Sequence, residues 1–179
     1  MYPTDSCYAL GTLIGNKSGI DQINRIRRLP PGHNMTLVCR DLSEISNFAR
    51  LDNYAYRLVK RLTPGPYTFL LKATRDVPRR LQHPHKKTIG LRIPDNRIAF
   101  ALLASLGEPL LSTSLILPGA DLPETDPIEI RTRLESQVDL VIDGGAGGYV
   151  PTTVLDLTED SPRIIREGKG DVSTLTENK

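Results

Sequence analysis

"TPGPYTFLLKA" (residues 63–73) divides the chain into helix-like text before it and strand-like text after it. Pro64, Gly65 and Pro66 end any helix that reaches them, because proline has no amide donor and glycine loses backbone entropy when ordered. The apolar run Tyr67–Ala73 that follows reads as a strand. Working backwards, residues 52–62 and 41–49 read as helices with Asp52 and Asp41 as caps. Before them comes a short strand at Met35–Cys39, entered through "PPGHN". Residues 18–29 place Ile20, Ile23 and Ile26 at helical spacing behind Ser18 as cap. Working forwards, "TIGLRIP" (88–94) is a strand closed by Pro94, and residues 96–106 form a helix ending at Gly107. "PLLSTSLILPG" (109–119) starts as a strand and becomes a loop. Residues 126–136 read as a helix capped by Asp126, with Pro127 in its first position. "VDLVIDGG" (138–145), "TTVLDL" (152–157) and "PRIIREG" (162–168) read as three more strands. Strands and helices mix without strict alternation. The expected fold is α+β, an open α/β arrangement with one mixed, twisted sheet flanked by helices.

The 179 residues are 39% hydrophobic and 25% charged, which suits one domain with a real core. That domain is expected over residues 1–172, with a polar, disordered tail at 173–179. No apolar run approaches the ~18 residues needed to span a bilayer. No basic-then-apolar leader precedes the first motif, so a cytoplasmic protein without a membrane partner is expected. Cys7 and Cys39 fit a reducing compartment. A net charge of +2 does not by itself call for nucleic acid. The basic clusters Arg25/Arg27/Arg28, Lys60/Arg61, Arg79/Arg80 and Lys86/Lys87 read equally well as solvated faces or as phosphate contacts. The start, "MYPTDSCYALGT" (1–12), is a hydroxyl-rich loop with almost no strand in front of it. Strands typically run ~5–6 residues. The natural gene product is therefore expected to continue upstream.

Several chemistries are excluded by pattern. No GxxxxGK[ST] is present, and "GKG" (168–170) lacks the upstream half of a P-loop. "GGAGG" (144–148) does not lead from a strand into a helix and reads as a flexible turn. His33, His83 and His85 do not combine with the cysteines at a zinc spacing, so "HPH" (83–85) reads as a polar loop and no protein-bound metal is expected. No GxSxG elbow occurs. What remains is "PTDS" (3–6), "STS" (112–114) and "PTT" (151–153) beside strands, with Arg92 and Arg166 interrupting apolar ones. An arginine on a buried strand needs an anionic partner, either an internal carboxylate or a ligand carboxylate or phosphate. Hydroxyls and arginines at strand ends suit a small anionic ligand of amino-acid or nucleotide character.

"YPTDSCYALG", "RIRRLPPGHNMTLV", "TPGPYTFLLK", "TIGLRIPDN", "LLSTSLILPG", "PTTVLDLT" and "IIREGKGDV" occur in this order. The whole resembles the YrdC/YciO family, and within it the YciO branch, from Tyr2 to about Val172. Family members carry further residues ahead of the first motif. The resemblance implies a YrdC-like fold with a concave, positively charged cleft. It implies an L-threonylcarbamoyladenylate synthase, a nucleotidyltransferase that converts L-threonine, bicarbonate and ATP with Mg²⁺ into threonylcarbamoyl-AMP and pyrophosphate for tRNA modification. Binding of double-stranded RNA is also implied.

Carried over by position, Ser6, Arg92, Ser112 and Thr152 match threonine-binding sites, and Thr88, Ser114 and Arg166 match nucleotide-binding sites. The family's phosphate-handling Lys-x-Arg pair falls on Arg27 and Leu29, and its Ser-x-Asn pair on Ser114 and Ile116. Arg27 and Ser114 keep the catalytic chemistry, while Leu29 and Ile116 lose theirs. Arg28, placed on a helix, would point about 100° away from position 29. His33 is expected as a partial substitute at the nucleotide. Weak synthase activity is expected. The other readings are a non-catalytic nucleotide- or double-stranded-RNA-binding protein, and related adenylate-forming or carbamoyl chemistry on a different amino acid.

Overall fold

The structure, a computed structural model, describes residues 1–30, 33–159 and 161–176. Its frame is one mixed sheet of β1 (Ala9–Leu13), β2 (Thr36–Val38), β3 (Ala49–Arg50), β4 (Tyr67–Ala73), β5 (Thr88–Arg92), β6 (Leu110–Ser114), β7 (Thr153–Asp156) and β8 (Arg163–Arg166). The order across the sheet is β1-β6-β2-β5-β4-β7-β8, with β3 pairing the far end of β4. β2 lies parallel to β5 and β4 parallel to β7, while the other pairs are antiparallel. The helices are α1 (Lys17–Arg27), α2 (Leu42–Phe48), α3 (Asn53–Leu62), α4 (Arg97–Leu106), α5 (Pro127–Leu134) and α6 (Ser173–Thr176).

Alternation along the strands separates two faces, because successive side chains point to opposite sides. One row across the sheet is Leu111, Leu37, Leu91, Phe69 and Leu155. Ile23 and Ile26 of α1, Ile45 of α2, Leu58 and Val59 of α3, and Ile130 and Leu134 of α5 pack with this row in one core. Each fully buried Leu or Phe there contributes about 1.5–3 kcal/mol. The neighbouring row points the other way: Gly11, Ser112, Thr36, Gly90, Leu70, Asp156 and Arg163. Only α4 among the named helices packs on this second face. Its Ala99 and Leu103 pack with Tyr2, Ala9, Val38 and Leu110 at one end. The rest of that face carries the hydroxyl-rich cleft.

The expected caps hold: Asp41 accepts from Glu44 N, Asp52 from Ala55 N and Asp126 from Ile128 N. Gly107 ends α4 in the left-handed region, with φ 71°. Several expectations are corrected. α1 starts one residue earlier, capped by Asn16 rather than Ser18, since the Asn16 side chain accepts from Gly19 N. It ends at Arg27, and Arg28 is a left-handed cap with φ 50°, so the helical angle assigned between 28 and 29 does not apply. The Pro31 and Gly32 of "PPGHN" lie outside the described residues.

Residues 138–145 form no strand. Ile142 N donates to Met1 O at 3.0 Å and the Met1 ammonium to Leu140 O at 2.6 Å, two isolated bonds rather than a ladder. α5 stops at Leu134 and continues as a 3-10 turn, Glu135–Gln137. Of the expected disordered tail, Ser173–Thr176 is a helical turn, and 177–179 lie outside the described residues. Among the described residues, no helix is long and apolar enough to cross a membrane.

Candidate functional site

The opening loop begins the site. Tyr2 and Ala9 bond to each other through both backbone groups, at 3.0 and 2.9 Å, which closes residues 3–8 into a tight turn. Thr4 organises that turn: its hydroxyl donates to Cys7 O at 2.7 Å and accepts from Ser6 N and Cys7 N at 3.2 and 3.3 Å. A hydroxyl that satisfies both partners of a turn is the chemical reason for a threonine here. The result points Asp5 and Ser6 at the end of β5. Arg92 Nη1 donates to Ser6 Oγ at 3.2 Å, and Arg92 Nη2 is ion-paired with Asp5 Oδ1. Asp5 Oδ2 accepts from Asp95 N at 2.9 Å, and Lys169 Nζ donates to Asp5 O. The internal carboxylate that an arginine on a buried strand needs is therefore Asp5. Among the described residues, Arg92 Nε has no hydrogen-bond partner, though it is buried.

A cavity of about 250 Å³ opens over the second face, and its walls include Arg27, His33, Arg92, Ser112, Ser114, Thr152 and Arg166. Ser6 reaches it through Arg92. Thr88 stands apart, in a neighbouring cavity of about 70 Å³ with Asn34, His83, Lys86 and Asp156. Asn34 and Leu70 line both.

Several of these groups are already engaged. Ser112 Oγ donates to Leu10 O at 2.7 Å and accepts from the Tyr2 hydroxyl at 2.9 Å. Thr152 shares a 2.9 Å hydroxyl contact with Thr68, and its carbonyl accepts from Arg166 Nε and Nη2 at 3.1 and 2.8 Å. Arg27 Nη1 donates to Ile116 O, while Arg27 Nε is buried without a partner among the described residues. Ile116 lines the cavity, whereas Leu29, partly buried, packs against the core. His33 is held below its ordinary pKa, first by partial burial and then by the Arg27 charge.

Arg166 lies on an exposed edge strand, not on the buried strand expected of "PRIIREG". It faces the cavity because of a register shift: Val154 pairs with Arg166 but Leu155 with Ile164 and Asp156 with Arg163. The extra residue puts both arginines on the cleft side although they are three apart. Arg163 then donates to Asp156 Oδ2 at 3.3 Å.

Asp5, Thr36, Thr68, Arg163 and Lys169 were not selected from the sequence. Thr36 and Thr68 carried a usable signal, since each sits one position from a core residue on its strand. Lys169 carried none, because its partner is 164 residues away.

The model of the Sua5/YciO/YrdC family, described as telomere recombination, matches residues 1–168. The chain belongs to this family. YciO of Escherichia coli (strain K12) is 60% identical over 172 residues, covering 96% of this chain and 84% of that one. The crystal structure of E. coli YciO superposes with a TM-score of 0.92, covering 97% of this chain and 84% of that one. A putative threonylcarbamoyl-AMP synthase of Methanocaldococcus jannaschii is 31% identical over 166 residues, 92% of this chain and 77% of that protein. Sua5 of P. abyssi, crystallised with L-threonine, is 27% identical with a TM-score of 0.83, covering 93% of this chain and 49% of that one. The mixed, twisted sheet flanked by helices is thus the fold of this family.

Proposed function

We propose that the cleft binds ATP with Mg²⁺ and L-threonine and forms threonylcarbamoyl-AMP, weakly, from these and bicarbonate, releasing pyrophosphate and water. The observation that carries this reading is the Arg92 centre. Its guanidinium is buried, is oriented by Asp5 and Ser6, and has Nε without a partner among the described residues. A buried cationic donor without a partner is costly unless a ligand supplies one. The carboxylate of an amino acid has the required charge and size. Ser6, Ser112 and Thr152 stand beside it as threonine contacts. In this reading Arg27, Ser114, His33 and Arg166, which line the cavity, would hold the nucleotide, with Thr88 in the neighbouring cavity, and Mg²⁺ would arrive with the phosphates. Family likeness to threonylcarbamoyl-AMP synthases and to a threonine-bound Sua5 supports the same reading. Its product would serve tRNA modification, in the cytoplasm, where Cys7 and Cys39 would stay as thiols.

One observation favours a second reading, a nucleotide- or double-stranded-RNA-binding protein without efficient catalysis. Arg27 gives one donor to the Ile116 carbonyl, and by the resemblance Leu29 and Ile116 would fall where the enzymes use charged and amide groups. Losing one donor at a centre of developing charge slows chemistry by about 10²–10³-fold.

The test is to incubate the protein with ATP, Mg²⁺, L-threonine and bicarbonate and to look for threonylcarbamoyl-AMP by mass spectrometry. Product that disappears with Arg92→Ala supports the synthase. ATP or RNA binding without product supports the binding protein. RNA affinity should then fall with salt by about 0.7–0.9 log units per log salt for each phosphate neutralised.

A further inference from the structure

The glycine run 144–148 lies directly on the opening loop. A Cβ at Gly148 would sit 2.2 Å from Ser6 O, and one at Gly147 would sit 2.6 Å from the Tyr8 ring. The Ser6 contact is with backbone, which cannot swing aside as a flexible side chain can. The run is also fastened at both ends of its contact. The Tyr8 hydroxyl donates to Gly145 O at 2.8 Å and accepts from Gly144 N at 3.1 Å, and Gly147 N donates to Thr125 O at 2.7 Å. Beyond the run, Pro151 and Thr152 enter the cavity wall.

We infer that residues 144–148 are a backbone strap that positions the opening loop, and that Tyr8 is its latch. The strap sets where Ser6 presents its hydroxyl, which is 3.2 Å from Arg92 Nη1. A displacement of the Ser6 carbonyl moves Ser6 Oγ away from that nitrogen and changes the one side-chain hydroxyl that, among the described residues, orients the guanidinium. The strap has no side chain of its own in the cleft. It acts through Ser6, so its residues are positioning residues. The part of this inference that concerns ligand affinity rests on the proposed threonine site; the part that concerns the loop does not.

The two cysteines report on it separately. Cys7 is in the opening loop and 1% exposed; Cys39 follows β2 in the core and is 0% exposed. Thiol-labelling rates for both would be measured by mass spectrometry in the wild type, Tyr8→Phe and Gly148→Ala, with threonine affinity measured by calorimetry on the same samples. The expected result is Cys7 labelling about tenfold faster in each variant with Cys39 unchanged, and threonine bound about tenfold more weakly. Tenfold corresponds to about 1.4 kcal/mol, the scale of one or two lost hydrogen bonds. Tyr8→Phe keeps the ring and the fold if Gly148→Ala does not. Unchanged Cys7 labelling in Tyr8→Phe, or equal acceleration at Cys7 and Cys39, overturns the strap. Faster Cys7 labelling with unchanged threonine affinity overturns its positioning role. A wild type that binds no threonine overturns the proposed substrate, and the labelling ratio still decides the strap.

Discussion

At Arg92 one side chain holds the opening loop through Ser6 and Asp5 and also lines the cavity. The Asp5 and Arg92 side chains are only 8% and 9% exposed, so their pair behaves as a buried one. Removing one partner of such a pair leaves an uncompensated charge and costs about 3–5 kcal/mol. Asp5→Ala is therefore expected to destabilise the protein on the order of 3 kcal/mol in denaturant unfolding. Glu124→Ala, which breaks the pair to the half-exposed Arg133, should cost about 0–1 kcal/mol. Equal losses would mean that Asp5 is not the counter-charge Arg92 depends on. Tyr2 gives a pH signature in the same cluster. Burial is the main cause that pushes its phenol up from 10.0 to about 12, against the opposing hydrogen bond with Ser112. A raised folded pKa means stability that is fully present below the unfolded value and lost as pH rises through the folded one. Wild type should therefore lose stability between pH 10 and about 12, and Tyr2→Phe should show a smaller loss over that window. The need for an anion at Arg92 was legible from the sequence, because a charge inside "TIGLRIP" has few alternatives. Which anion was not, since Asp5 is 87 residues away and only the folded turn brings it in.

At the scale of elements, caps and strand parity could be read and pairing partners could not. Asp41, Asp52 and Asp126 work as caps because the contact is local, within three residues. Asp52→Ala is expected to cost about 1 kcal/mol and to lower the melting temperature by about 2–4 °C in calorimetry. No change would mean that tertiary packing of Leu58, Val59 and Leu62 alone fixes α3. The segment 138–145 failed as a strand for the opposite reason. Its apolar alternation is strand-like, but a strand needs a neighbour with free backbone groups, and among the described residues the only backbone from outside the segment that bonds to its first five residues is that of Met1. Strand β8 formed as expected, yet the placement of Arg166 depends on the register shift at Val154/Leu155, which no local pattern announces.

At the scale of the whole molecule, one sheet divides the chain's chemistry between its faces: aliphatic rows under the helices, hydroxyls and guanidiniums in the open cleft. This division predicts how Ile116 and Leu29, expected from the resemblance to stand in for phosphate-handling residues, should respond to substitution. Ile116 lines the cavity and offers its carbonyl to Arg27, so Ile116→Asn replaces one cleft side chain and leaves that backbone bond in place. Leu29 packs on the core side, so Leu29→Arg removes apolar contact and brings a charge against it. Ile116→Asn is therefore expected to change the unfolding free energy by less than about 0.5 kcal/mol, the range of ordinary surface substitutions. Leu29→Arg should lower it by about 1–3 kcal/mol, within the usual range of destabilising substitutions. If the proposed synthase is right, product formation should rise with Ile116→Asn alone, whereas Leu29→Arg should raise it only when assayed well below its lowered melting temperature. Equal stability of the two variants would place Leu29 outside the core and would make position 29 as accessible to a phosphate as position 116.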